Sequence, residues 1–136
     1  MANHSIEEVL VYLMVVMSAS DKSMSDPELS RIGSLIRTLP VFDAFDEDEL
    51  IPAARRCQQI LAGENGLEIV FDLACSVLPE RLRDTAYAAA VDVAAADLDV
   101  RSEEMRVLER LRAKLGIDQA TASAIERSAR ARHRLI

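Results

Sequence analysis

The chain has no tryptophan, and its 136 residues include only two tyrosines and three phenylalanines. A core without large rings must be filled by Leu, Val, Ile, Met and many Ala, a mixture that favours helices over sheets. Glycine and proline are equally scarce, four of each, while half the chain is apolar. Little of it therefore has the composition of a disordered segment. The two cysteines, Cys57 and Cys75, are lone residues without CxxC spacing, so buried reduced thiols are the expectation. The two histidines, His4 and His133, stand near opposite ends, so neither a His-based catalytic pair nor a zinc site of usual spacing is expected. There is no glycine-rich phosphate loop, and the serines show no nucleophile pattern.

Basic charge is also in short supply. The net charge is −7, and residues 126–136 carry four Arg against one Glu, which leaves −10 on residues 1–125. An acidic body opposes the phosphate-neutralising surface that nucleic acid binding needs. It is compatible with cation binding or simply with solubility. The apolar run Val9–Met17, followed by Ser18-Ala19-Ser20, superficially resembles a signal peptide. Glu7 and Glu8 give its leading region the wrong sign, and nine residues fall short of the roughly 20 needed to span a bilayer. The expectation is a leaderless cytoplasmic protein without membrane insertion.

What is present is a duplication. A shift of 76 residues lays Asp21 on Asp97, Glu28 on Glu104, Leu35 on Leu111 and Leu39 on Leu115, with Val15 on Val91 and Ala19 on Ala95. Each copy, about 5–39 and 80–115, reads as a buried apolar helix, an acidic link and an amphipathic helix. The later buried helix, around Tyr87 to Ala96, is nearly all small apolar residues and is interrupted by Asp92. Asp92 is expected to face a watery edge or an arginine such as Arg110 or Arg112.

Punctuation fills in the remainder. Ser5-Ile-Glu-Glu8 and Ser25-Asp-Pro-Glu28 read as capping boxes, and Pro40 ends the second helix. Phe42 and Phe45 sit in an acidic linker, where they are either core anchors or a docking surface for a basic partner. Asn65-Gly-Leu-Glu68 opens a fourth helix, Pro79 precedes the fifth, Gly116 stops the sixth, and Asp118 caps a seventh. The expected fold is all-α: residues 1–136 form a single-domain seven-helix bundle with an internal pseudo-two-fold helix–link–helix repeat. Helices 3 and 4 are expected to fill the space between the copies.

The chemistry-bearing residues fall at the links. Asp21 and Asp97 close buried helices, where the dipole makes an anion unfavourable by roughly 0.3–1 kcal/mol. Two readings stand open. In one, the aspartates accept from amides of the following helix while Glu28 and Glu104 are ordinary capping partners. In the other, Asp21, Glu28, Asp97, Asp99 and Glu104 gather hard oxygens for a divalent cation, Ca²⁺ or Mg²⁺ rather than Zn²⁺. Neither link is an EF-hand loop, since Ser102 replaces its glycine and Leu108 its final glutamate.

The doubled motif is Ala94-Ala-Ala-Asp97, Glu104, then Leu108, Leu111 and Leu115, with Ser18-Ala-Ser-Asp21 and Glu28 as the looser first copy. It resembles the tellurite-resistance protein B (TerB) family along nearly the whole chain. That resemblance implies an all-helical, cytoplasmic, bacterial module tied to tellurite and chemical stress. No established enzymatic reaction comes with it, and related modules accompany co-chaperones. The proposals attached to the family are metal binding and protein contacts, which map to Asp21, Glu28, Asp97 and Glu104. The expected function is a non-catalytic module whose acidic, cation-binding surface docks a protein partner; the alternative is a purely structural interaction domain without an ion.

Overall fold

The computed structural model describes residues 4–18, 24–96 and 102–136. Among them are seven α-helices and no strand: α1 (Ile6–Ser18), α2 (Asp26–Thr38), α3 (Leu50–Ala62), α4 (Gly66–Val77), α5 (Arg83–Ala96), α6 (Ser102–Leu115) and α7 (Gln119–Arg132). The all-α bundle read from composition and periodicity is the fold observed.

α1 and α5 form its centre. Every residue of α1 from Val9 to Val15 is buried, as an apolar surface on all sides requires. In α5 the alanines 86, 89, 90 and 94 are buried beside Tyr87, Val91 and Val93. Side chains this small let α1 and α5 pack directly against each other.

The contacts made by these two helices repeat. α1 packs against α2 and α3, and α5 packs against α6 and α7. α2 also reaches α5, and α6 reaches α1. Among the described residues α2 and α3 scarcely touch each other, and neither do α6 and α7. The structural unit is thus three helices long, α1–α2–α3 and α5–α6–α7, one helix more than the sequence repeat.

The expectation that helices 3 and 4 together separate the copies therefore holds only for α4. It packs on α1, α3 and α6, whereas α3 is the outer helix of the first half. α4 is tied to α6 in step, Glu68 to Arg110 and Asp72 to Lys114 (2.7 Å), each pair one turn beyond the last. The guanidinium of Arg110 also lies 6.0 Å over the Phe71 ring.

The α3–α4 corner needs two unusual residues. Asn65 adopts a left-handed conformation (φ 57°, ψ 30°), and its side chain makes no cap bond, so the sequence signal marks the helix start through backbone shape. At Gly66 the chain passes so near α3 that an added Cβ would lie 2.3 Å from the Ile60 carbonyl oxygen.

Candidate functional site

The two acidic elbows were the expected site, and the structure describes their outgoing sides. Asp21, Asp97 and Asp99 lie outside the described residues. In the first copy, Ser25 caps α2: its Oγ accepts from Glu28 N (3.3 Å), while Glu28 Oε1 accepts from Ser25 N (2.9 Å) and Oγ (2.8 Å). This is the capping box in full, and it commits one carboxylate oxygen of Glu28 to helix initiation.

Glu104 stands at the matching place in α6 and is only 6% exposed. With Asp92 it makes up the buried charged residues of the described chain. Equivalent sequence positions thus hold a half-buried carboxylate in one elbow and an interior one in the other. Among the described residues no group of three His, Cys, Asp or Glu side chains is gathered so as to hold a metal ion.

Three polar arrangements were not legible in the sequence. The first joins α1 to α3. Tyr12 donates its hydroxyl to Glu8 Oε2, and Arg56 grips the same carboxylate through Nε (3.1 Å) and Nη2 (2.8 Å). Burial works to raise the Glu8 pKa, but the hydrogen bonds from Arg56 and Tyr12 outweigh it and hold the carboxyl below its usual value. Burial, followed by the bond to Glu8, pushes the Tyr12 hydroxyl well up. The Ser5 capping box is accordingly half formed: Glu8 N donates to Ser5 Oγ (3.0 Å), but the Glu8 side chain turns to Tyr12 and Arg56 instead of back to the cap.

The second arrangement mirrors it on the other central helix. Tyr87 of α5 donates to Glu126 Oε2 of α7 (2.8 Å), and burial with that bond raises the Tyr87 pKa. Each central helix therefore carries a buried tyrosine whose hydroxyl ends in a charged group tied to, or borne by, the third helix of its own half.

The third gives Asp92 the arginine that was expected but corrects which one. Its partners are neither Arg110 nor Arg112. Asp92 Oδ1 lies 2.8 Å from Arg132 Nη2 and 3.4 Å from His133 Nε2, both at the end of α7. A carboxylate 5% exposed in an alanine-rich helix is thus met by the basic stretch that the sequence shows as a run of arginines.

Two smaller expectations resolve similarly. Phe42 is 2% exposed and meets Phe45 edge-to-face at 5.9 Å, so the pair are core anchors. Cys57 is fully buried, which pushes its thiol up to about 12, whereas Cys75 is only half-buried, its Sγ lying 3.3 Å from the Lys114 carbonyl.

These features define an all-helical bundle of two similar halves, with an acid at the start of the second helix in each. Residues 7–128 match the family model for the tellurite resistance protein TerB, so the chain belongs to the TerB family and is a tellurite-resistance-associated domain. No curated protein and no solved structure matches it. Among the described residues no helix is long and apolar enough to cross a membrane.

Proposed function

We propose that this TerB-family chain is a non-catalytic binding module whose acidic elbows dock a protein partner, with a divalent cation as mediator. The residues assigned to the cation are Asp97, Asp99 and Glu104 of the second elbow, with Asp21 and Glu28 of the first. The supporting observation is the second link itself, where Asp97, Asp99, Glu103 and Glu104 place four carboxylates within eight residues. Oxygen donors in that number suit Ca²⁺ or Mg²⁺.

The Ser25–Glu28 capping box favours a second reading, in which the acids initiate helices and the partner surface needs no ion. A pull-down from cells of the source organism, run with and without chelator, separates the two. Partner release by chelator, reproduced by Glu104→Gln, is the expected result. Capture indifferent to chelator and to that substitution favours the ion-free module. Hydrolytic or transfer activity of the pure protein that is abolished by Glu104→Gln overturns the non-catalytic assignment.

A further inference from the structure

The two halves differ in how the gap between their outer helices is closed. In the first, 39–49 connect α2 to α3. The connection packs into the gap through two 3-10 turns: Pro40–Phe42 lies on α2, and Glu47–Glu49 touches both helices. Phe42 and Phe45 supply the apolar filling, and Glu47 pairs with Arg37 of α2 at 2.8 Å. In the second half the connection from α6 to α7 is only 116–118, too short to supply a comparable plug.

A cavity of about 440 Å³ remains beside the connection in the first half, lined by α2, the connection and α3 without the central helix. In the second half the groove, about 360 Å³, reaches the central helix α5 as its floor. Val91, Ala94 and Ala95 form that floor, small side chains that leave the depth unfilled. Met105 and Leu108 wall one side and Ala129 the other, and Met105 is 49% exposed. Arg112 and Arg130 line the groove together with Glu109 and Glu126. Glu126 accepts from Tyr87, and the guanidinium of Arg112 donates to neutral oxygens of Ile117 and Gln119. The α7 wall belongs to the basic stretch 126–136, net +3 in a chain of −7.

We propose that the α6–α7 groove receives an acidic peptide segment of a partner protein that inserts an aromatic side chain, the role the 39–49 connection plays within the first half. The occupant's ring covers the alanine floor, and its carboxylates meet Arg112 and Arg130. The groove needs no cation, so this inference stands apart from the acidic elbows.

The chain itself provides the probe. A labelled, end-blocked peptide of residues 40–49, PVFDAFDEDE, is titrated into the full-length protein by fluorescence anisotropy. Saturable binding with a Kd below about 1 mM is expected, weakened about tenfold by Met105→Asp and by replacing both peptide phenylalanines with serine. Arg130→Glu should weaken it several-fold and flatten its salt dependence, and chelator should leave it unchanged. Both protein substitutions are at exposed positions, and unchanged helical circular dichroism verifies that the variants fold. No saturation by 1 mM, or binding indifferent to Met105→Asp, overturns the proposal. Self-association at the same concentrations that Met105→Asp abolishes also overturns it, by assigning the groove to a second copy. Peptide binding that survives while cation binding fails leaves this inference standing and removes the elbow reading.

Discussion

Glu8 shows how one carboxylate acquires work that its position does not announce. Four residues before Tyr12 and close to Ser5, it reads as a helix cap, yet its oxygens serve a buried hydroxyl and a distant guanidinium. Such partners are invisible in sequence because Arg56 lies 48 residues away on another helix. Since the folded state holds the Glu8 pKa below its ordinary 4.5, its ionised form contributes stability that is fully present above that value. The contribution is lost as pH falls below 4.5 through the lower folded value. Urea denaturation between pH 7 and pH 3 should show Glu8→Gln losing less stability on acidification than the parent; equal slopes would remove Glu8 from the account. Asp92 gives a second residue-scale expectation. Arg132→Ala leaves a buried carboxylate with a weaker partner and should destabilise more than Arg134→Ala, a difference readable in thermal melts.

At the scale of elements, punctuation was the legible part. Ser25 and Asp118 cap α2 and α7 as their side chains suggested, and Pro40 and Gly116 stand where helices stop. These signals act within four residues, so the sequence alone carries them. Ser25→Ala should cost about 1 kcal/mol by removing a cap that serves both sides of the box. Gly66→Ala should cost more, about 1–3 kcal/mol, because its Cβ meets the backbone at Ile60 and Leu61 where nothing flexible can give way. Gly63→Ala, with its nearest atom at 3.4 Å, should be milder. Reversal of that order in chemical denaturation would contradict the close approach of α4 to α3. The third helix of each repeat was not legible. Connections of eleven and three residues put α3 and α7 out of register, so a constant 76-residue shift does not find them. Only their packing against α1 and α5 shows the correspondence.

For the molecule as a whole, the helical class followed from what the composition leaves out, and the family from a motif written twice. Function was less legible, for a physical reason. A cap and a cation ligand call for the same side chains at the same spacing, and only the surroundings distinguish them. The surroundings differ: Glu28 is held by Ser25, whereas Glu104 is drawn into the interior. The proposed cation is assigned to the second elbow because residues 97–104 carry four acids against three in 21–28, which makes the first its weaker counterpart. Isothermal titration of the full-length chain with Ca²⁺ and with Mg²⁺ tests this most directly, on the parent and on an Asp97→Asn, Glu104→Gln variant. The expected result is sub-millimolar binding of one of the two ions that the variant loses while Glu28→Gln largely keeps it. Heats no larger than dilution for both ions, or binding untouched by the double substitution, would contradict the cation role.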